Sequence, residues 1–383
     1  MGLVVTTAVW AVFVVVALWP PFRGGTLGFV VFVLTMTVNE IPLVLLVVFV
    51  ASMAITESPA GAPATIVGSV LAAVVVIGLI WLQVRARTAR PVLQAALDAG
   101  LGTGWRNPRQ RDGLPATSWL RGILLPFQRR SRGVHRKRNV SYGPERAHRL
   151  DIYQSPLPTR SARPVLVHLH GGGFGQGGKS REGITMLNQL AAHGWLCMSA
   201  NYRLGSAGRH PNPLTDTKRV IAWIRDHADD HGADPTQVFL TGSSAGGHLA
   251  LSAALTHDRT GLQPGFEAAD TSVAGVMVWY GYLGARTPDP SSSPALLARP
   301  DSPPTLIING TNDTAVPQGT REIATTLRRA SRNPVILVDL PHTQHDFDFF
   351  ASVRARVAAD AAEAFLNWAR TRDATEVRAD SSK

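Results

Sequence analysis

The stretch that decides the fold reads GSSAGGH, residues 242–248, in which Ser244 lies between Gly242 and Gly246. It directly follows an apolar run, residues 237–241, and it leads into an alanine-rich segment typical of a helix. A serine on such a sharp strand-to-helix turn presents its hydroxyl group, and side chains at the flanking positions would collide with neighbouring backbone. The pattern therefore predicts Ser244 as a nucleophile.

Strand and helix patterns alternate on both sides of this turn. The apolar and β-branched runs predict strands at residues 149–154, 164–170, 195–202, 237–241, 273–280, 305–309 and 334–340. The intervening segments predict helices at residues 182–193, 214–231, 245–256, 319–331 and 352–370. This alternation is typical of an α/β fold with a mostly parallel sheet that helices cover on both faces. We expect it to form one domain.

Three glycines follow another predicted strand, in the sequence HGGGF at residues 170–174. Because glycines leave their backbone N–H groups unshielded, such a run suits an oxyanion hole, which stabilises charge that develops in the transition state. The N–H group of Ala245, directly after the nucleophile, would supply a further donor. A phosphate-binding loop is the alternative. Residues 171–179 do not fit G-x-x-x-x-G-K-[ST] in register, however, and no Walker-type Asp is evident.

A nucleophilic serine needs a histidine base and an acid that orients the histidine. With a nucleophile on this kind of turn, the acid and then the histidine follow the serine along the chain. Of the 12 histidines, this order leaves His342 and His345, and we favour His345, in the loop before the final predicted helix.

Asp313 is the favoured acid because it closely follows the predicted strand 305–309. Open α/β sheets carry their sites at the carboxyl ends of strands. Asp339 is the alternative acid, but it falls within the last predicted strand. Ser243 is the alternative nucleophile, but it would leave the two flanking glycines misplaced around it.

Together these motifs resemble the hormone-sensitive-lipase-like family of α/β-hydrolases and the related kynurenine-formamidase-like esterases. The resemblance covers roughly residues 140–370 and rests on residues 170–174, 201–204, Asp216 with Trp223, 242–248, 310–313 and His345. It implies an α/β-hydrolase fold, a scaffold role for Asp216 and Trp223, and two groups of site residues. The triad would be Ser244, Asp313 and His345, and the oxyanion hole would be formed by the amides of Gly172, Gly173 and Ala245.

The sequence departs from this family in its cap. Only a short segment separates the predicted strands 273–280 and 305–309, and the usual soluble N-terminal cap is replaced by apolar and basic segments. With these segments the chain resembles actinobacterial membrane-anchored esterases and lipases.

The first 84 residues contain three apolar stretches, residues 3–19, 27–55 and 64–82. A bilayer span needs roughly 20 apolar residues, so these stretches predict about three transmembrane spans. Pro42 interrupts the second stretch, which fits a bent span or two half-helices. Glu40 beside it is interpreted either as a functional acid or as a loop residue between interfacial helices. A cleaved signal peptide is not expected, because a basic n-region and a small-residue cleavage site are both missing.

Residues 85–138 carry 13 Lys and Arg against two Asp, a local net charge of +11 that equals the formal net charge of the whole chain. Under the positive-inside rule, these charges place everything after residue 85 on the cytoplasmic side. The run at residues 129–138 would face anionic lipid headgroups, or simply solvent. Nucleic-acid binding is not expected, because interleaved aromatic residues and a binding motif are lacking.

We therefore expect four segments. They are a transmembrane region at 1–84, a basic connector that could cap the site at 85–138, a catalytic domain at 139–372, and a disordered tail at 373–383. The expected location is the cell membrane, multi-pass, with the catalytic domain on the cytoplasmic side. The expected partners are the bilayer and a small ester or lipid substrate, and the oligomeric state is not indicated. No cofactor or metal is expected, since Cys197 is the only cysteine and lies in an apolar run.

The expected function is a membrane-anchored serine carboxylesterase or lipase. It would hydrolyse short- to medium-chain carboxylic esters through an acyl-enzyme on Ser244. An amidase or arylformamidase with the same triad is one alternative. The other is a non-catalytic, membrane-tethered binding module on a hydrolase fold.

Overall fold

The computed structural model describes residues 2–56, 61–106, 113–115, 118–157, 161–316 and 319–380, with side chains as far as residue 372. Its centre is a single eight-stranded sheet. The strands are β1 (His135–Ser141), β2 (Arg149–Gln154), β3 (Arg163–Leu169), β4 (Leu196–Ala200), β5 (Ala233–Ser243), β6 (Gly275–Trp279), β7 (Thr305–Gly310) and β8 (Val335–Leu340).

The strand order in the sheet is β1-β2-β4-β3-β5-β6-β7-β8. β2 pairs antiparallel with β1 and with β4, and every other pair is parallel. Because the parallel strands all end at the same edge, the loops that follow β3, β5, β7 and β8 meet there. This edge is where an open α/β sheet carries its site.

Helices cover both faces of the sheet, as the alternating pattern predicts. The helices of this domain are α5 (Ala89–Leu101), α6 (Ser118–Leu124), α7 (Ile184–Ala192), α8 (Asn212–Asp226), α9 (Ala228–His231), α10 (Ala245–Leu255), α11 (Thr320–Ala330) and α12 (Val353–Asp380). Residues of α5, α7 and α12 share one hydrophobic core with the sheet, and residues of α8, α10 and α11 share the other. The expected α/β fold is confirmed.

Four apolar helices precede this domain. They are α1 (Gly2–Leu18), α2 (Gly25–Glu40), α3 (Pro42–Ala54) and α4 (Ala62–Arg85). α1 packs along α4 closely enough that a Cβ on Gly78 would collide with the Val14 side chain. Small residues permit such close helix contacts inside membranes. α1, α3 and α4 pack around a small core that includes Val14, Phe49 and Leu79.

Length and composition single out one helical run among the described residues as able to cross a bilayer, Ala62–Leu101. α2 and α3 meet at an angle of 92°, and they would add a second crossing if the bent pair forms one broken span. The break at Pro42 is where the sequence predicts a bend, because proline cannot donate the helical hydrogen bond.

The segments expected at 85–138 and 373–383 differ from the structure. α5 lies in the core of the domain, with Leu93 and Leu97 fully buried, and β1 begins before residue 139. The folded α/β domain therefore begins within the predicted connector. Three consecutive basic residues, 136–138, obscure the strand pattern of β1 in the sequence. α12 extends to Asp380, so the predicted disordered tail is helical up to that residue.

Candidate active site

Ser244 lies on the turn between β5 and α10, with φ of 52° and ψ of −116°. Few non-glycine residues adopt a positive φ, so this backbone is strained. A Cβ on Gly242 would overlap the carbonyl oxygen of Gly246, and a Cβ on Gly246 would overlap that of Leu169. Both flanking glycines are therefore required by backbone contacts. The turn leaves the Ser244 side chain 8% exposed at the sheet edge.

Ser243, the alternative nucleophile, is fully buried. Its hydroxyl lies 3.1 Å from Nε2 of His168, which is itself fully buried within β3. Burial lowers the pKa of His168 to about 3, so this imidazole is neutral. The pair lies inside the domain, and this burial separates Ser243 from substrate.

The glycine run after β3 folds into a tight turn beside Ser244. Gly172 and Gly173 both have positive φ, 118° and 61°. The carbonyl oxygen of Gly172 accepts hydrogen bonds from the N–H groups of Gly175 and Gln176, each at 3.1 Å. A Cβ on Gly171 would lie 3.2 Å from Cβ of Ser244, so the loop touches the turn.

Ala245 is the first residue of α10, and its N–H group has no acceptor within the helix. The structure thus brings the loop of Gly172 and Gly173 to the same edge as the Ala245 amide. This is an arrangement in which backbone donors could converge on a developing oxyanion.

Asp313 and His345 lie in the loops after β7 and β8. Nδ1 of His345 and Oδ2 of Asp313 are 2.6 Å apart, in a pair that is almost completely buried. The other Asp313 oxygen, Oδ1, accepts hydrogen bonds from the N–H groups of Ala315 and Val316 at 2.9 and 2.8 Å. Asp313 therefore holds the imidazole by one oxygen while backbone amides hold the carboxylate by the other.

Ser244 and His345 are not hydrogen bonded to each other among the described contacts. Catalytic hydrogen bonds are often long in unliganded enzymes and shorten only when substrate binds. With Nδ1 engaged by Asp313, Nε2 is the ring nitrogen of His345 that makes no hydrogen bond among the described contacts, and it is the atom that would accept a proton from a nucleophilic serine.

The alternative base and acid lie elsewhere. His342 is exposed, and its backbone, not its ring, makes its hydrogen bonds, with Thr311 and Arg354. Asp339 lies on β8 itself and forms an ion pair with Arg321 at 2.5 Å. Among the described contacts, neither residue forms a histidine–carboxylate pair.

Asp216 is buried, as expected for a scaffold residue. Its carboxylate pairs with Arg203 at 2.6 Å and with His148 at 3.0 Å, which ties the loop after β4 to α8. Trp223 lies further along α8 and packs against the hydrophobic core that α8, α10 and α11 share with the sheet.

A cluster of three buried acids beside His345 was not identified from the sequence. Asp346 Oδ1 lies 3.8 Å from Nε2 of His345. Glu182 accepts a hydrogen bond from the Gly171 N–H group at 3.3 Å, and Asp348 accepts one from Gly183 at 2.7 Å. The sequence HDFD at 345–348 marks two of them, but nothing in the sequence connects Glu182 to the same place.

Electrostatics at this cluster set the charge of the imidazole. Burial is the largest effect on His345 and would lower its pKa, but the charge and hydrogen bond of Asp313, with the charges of Asp346 and Glu182, raise the pKa to about 9. Burial, together with the charge of Asp346, raises the pKa of Glu182 to about 7. The carboxylates around the imidazole therefore favour the protonated form of His345.

His345 also contacts two aromatic rings. The Tyr280 ring, at the end of β6, is 4.7 Å from the imidazole centroid to centroid, and the Phe32 ring is 5.5 Å away. Both contacts are edge-to-face. Phe32 belongs to α2, so an apolar N-terminal helix forms part of the surroundings of the histidine.

Comparison with known proteins was made on both sequence and structure. A family model described as BD-FAE matches residues 150–290. Probable carboxylic ester hydrolase LipM of Mycobacterium tuberculosis is 33% identical over 404 residues, covering 96% of this chain and 93% of that protein. Esterase LipQ of the same organism is 34% identical over 269 residues, covering 61% of this chain and 64% of that protein.

Among solved structures, Thermogutta terrifontis esterase 2 phosphoramylated by tabun matches with a TM-score of 0.53 at 25% identity. The match covers 61% of this chain and 94% of that one. The similarity to LipM therefore extends over nearly the whole chain, while the structural match covers a smaller part of it.

Proposed function

This chain belongs to the α/β-hydrolase esterase family of these relatives, and from that premise we propose that it is a membrane-anchored serine carboxylesterase. It hydrolyses carboxylic esters of short to medium acyl chains through an acyl-enzyme on Ser244. The observation that carries the proposal is the buried Asp313–His345 pair, 2.6 Å apart, in loops at the sheet edge where the strained turn presents Ser244.

In the first step Nε2 of His345 takes the proton from the Ser244 hydroxyl as the oxygen attacks the ester carbonyl carbon. Asp313 holds the ring and stabilises the imidazolium. The amides of Gly172, Gly173 and Ala245 stabilise the negative charge on the carbonyl oxygen. The tetrahedral intermediate then releases the alcohol, which receives the proton from His345, and leaves the acyl group on Ser244. His345 then deprotonates a water molecule that attacks the acyl carbonyl carbon, and it returns the proton to the Ser244 oxygen as the acid is released.

The test is hydrolysis of p-nitrophenyl butyrate by the full chain in detergent. Ser244→Ala should lower kcat by about 10³-fold or more, because nucleophile and base act as one unit. Ser243→Ala is the matched control, since it removes a neighbouring hydroxyl that faces the core, and it should keep most of the activity. A fluorophosphonate probe should label Ser244. Full activity in Ser244→Ala, or no label at Ser244, would refute the serine mechanism.

An amidase would use the same triad, so only its relative rates on amides and esters distinguish it from an esterase. The matched pair is an N-formyl aryl amide and the corresponding aryl formate ester. We expect the ester to be the better substrate, in line with the ester hydrolases among the relatives. A preference for the amide would assign the chain to the arylformamidases.

For location, we propose a multi-pass protein of the cell membrane whose catalytic domain lies on the cytoplasmic side. α1, α3 and α4 would cross the bilayer, and the support is their apolar composition and the basic residues after α4. With 13 residues, α3 is only about 20 Å long, so the bilayer would have to thin around it. A reporter that is active only in the cytoplasm, fused after Lys383, should be active, and an inactive reporter would reverse the assignment.

A further inference from the structure

α2 lies across the catalytic domain and is attached to it at its N-terminal end. The Gly24 N–H group donates to the Thr314 carbonyl oxygen at 2.8 Å, and Arg23 Nη1 donates to that of Thr311 at the same distance. A Cβ on Gly28 would overlap the Thr314 carbonyl oxygen. The helix therefore touches the loop that carries Asp313.

The C-terminal end of α2 is attached by a buried ion pair. Oε1 of Glu40 lies 3.2 Å from Nη1 of Arg354 on α12, and both side chains are almost completely buried. Oε2 of Glu40 accepts a hydrogen bond from the Ser352 hydroxyl at 2.6 Å. With both ends held by the domain, α2 runs along its surface, and Glu40 is satisfied by the domain.

The middle of α2 contacts the loop of the catalytic base. Nε2 of Gln344 donates to the Thr35 hydroxyl at 3.1 Å. One residue further along the chain, the imidazole of His345 packs edge-to-face against the Phe32 ring, with 5.5 Å between ring centroids. On this side of the domain, α2 therefore covers His345.

The opposite face of α2 is apolar and exposed. Its exposed large apolar residues are Leu27, Phe29, Val30, Val33 and Leu34, each at least 43% exposed. Phe29 and Phe32 are in contact, with 5.6 Å between ring centroids. Because Phe29 is 49% exposed and Phe32 touches His345, the two rings form an apolar line from the outer surface to the catalytic base.

The neighbours of α2 indicate that lipid covers this face. Arg85, at the end of α4, donates to the Ala17 carbonyl near the end of α1 at 3.0 Å and to Oδ1 of Asn39 in α2 at 2.6 Å, so these two helix ends lie beside the C-terminal end of α2. α1 and α4 also carry many exposed Val, Ile and Leu side chains. Trp19 and Phe22, in the link from α1 to α2, are 71% and 50% exposed. Aromatic residues at such positions are typical of a membrane–water interface.

We propose that α2 lies in the membrane interface as a wall of the active site, and that ester substrates reach Ser244 from the bilayer along Phe29 and Phe32. This proposal rests on the esterase function proposed above. It identifies the substrate class as esters whose acyl chains are dissolved in the bilayer, such as acylglycerols. Phe29 and Phe32 contact the acyl chain, and Phe32 also positions the His345 ring.

The first experiment compares two exposed neighbours on α2 in the full chain, reconstituted in phosphatidylcholine vesicles. Phe29→Asn removes the outer ring of the line. Val30→Asn is the matched control, because Val30 is 46% exposed and lies roughly 100° around the helix from Phe29. The quantity measured is the rate on didecanoylglycerol in the vesicles divided by the rate on water-soluble p-nitrophenyl butyrate.

Phe29→Asn should lower this ratio by about tenfold, since a phenyl ring in contact with an acyl chain contributes on the order of that factor. Val30→Asn should leave the ratio within about twofold of the parent. An equal change in both variants, or no change in either, would overturn the proposal. So would a parent protein that hydrolyses p-nitrophenyl butyrate but not didecanoylglycerol, while the esterase function itself would stand.

The second experiment does not need catalysis. Ser244→Ala protein is reconstituted with a small fraction of a diacylglycerol that carries a diazirine at the end of one acyl chain, and is then irradiated. We expect labelled peptides containing Phe32 and His345, with the label lost when excess didecanoylglycerol competes. Label confined to α1, α3 and α4 would refute the proposal, even if the parent chain hydrolysed no ester and the proposed function had failed.

Discussion

At the scale of single residues, the proposed mechanism requires the imidazole of His345 to be unprotonated before it can deprotonate Ser244. Asp313 engages Nδ1 on one side, and Asp346 lies 3.8 Å from Nε2 on the other. A general base works only in its unprotonated form. Carboxylates around the ring favour the protonated form, so they orient the base and also reduce the fraction that can act at neutral pH.

We therefore expect activity to rise into the alkaline range. The pKa of His345 is raised from its ordinary value of 6.5 to about 9, so the active form is lost as the pH falls below about 9. The measurement is kcat/KM for p-nitrophenyl butyrate, corrected for spontaneous hydrolysis, from pH 6 to 10. A profile already level at pH 7 would contradict a base held in this state.

Asp346→Asn should move the same profile toward lower pH. The substitution removes a negative charge near Nε2 while keeping the shape of the side chain, so the protonated imidazole loses part of its stabilisation. Asp339→Asn is the control. Asp339 lies on β8 and pairs with Arg321, so this substitution should leave the midpoint of the pH profile in place. An unmoved midpoint in Asp346→Asn would show that this carboxylate does not act on the base.

At the scale of elements, the joint between α2 and α12 rests on a pair of opposite charges removed from water. Burying two charges is costly, and their attraction repays that cost only while both partners are present. The attachment of α2 to α12 is therefore stable only when both charged partners are present.

Arg354→Met should destabilise the full chain by about 3–5 kcal/mol, because it leaves the Glu40 carboxylate buried without its cation. The double variant Glu40→Leu with Arg354→Met should be more stable than Arg354→Met alone. Thermal unfolding in detergent, followed by circular dichroism, compares these two variants with the single variant Glu40→Leu. If the double variant lost the sum of the two single losses, the joint would not be an ion pair in solution.

At the scale of the whole molecule, the catalytic domain begins well before the first strand that the sequence reveals. Leu93 and Leu97 of α5 are fully buried in the core shared with α12, and β1 completes one edge of the sheet. Each such leucine contributes roughly 1.5–3 kcal/mol, and a typical domain has only about 5–15 kcal/mol in total.

A chain that starts at residue 86 should consequently unfold in one cooperative transition, whereas one that starts at residue 139 should not. Urea titrations monitored by tryptophan fluorescence, on both chains purified in mild detergent, would compare them. Equal cooperativity in the two would mean that α5 and β1 are dispensable.

The sequence was sufficient to predict features whose causes are local. The turn at Ser244 follows from Gly242 and Gly246, which backbone contacts require, and the strands follow from their apolar runs. β1 was not predicted, and α5 was assigned to the connector rather than to the domain core, because short basic and amphipathic segments reveal their role only through packing against distant residues. The contact of Phe32 with His345 joins residues about three hundred positions apart, and no local pattern encodes it.

The joint at Glu40 also bears on how the protein is made. Ser352, which binds Glu40, lies 312 residues further along the chain, and synthesis proceeds at about 5–20 residues per second. Glu40 is thus synthesised roughly 15–60 s before Ser352. In the proposed membrane topology, α1 and α3 are inserted during that interval, while Glu40 still lacks its partners Ser352 and Arg354. Completion of α12 then supplies the arginine that attaches α2 to the α/β domain.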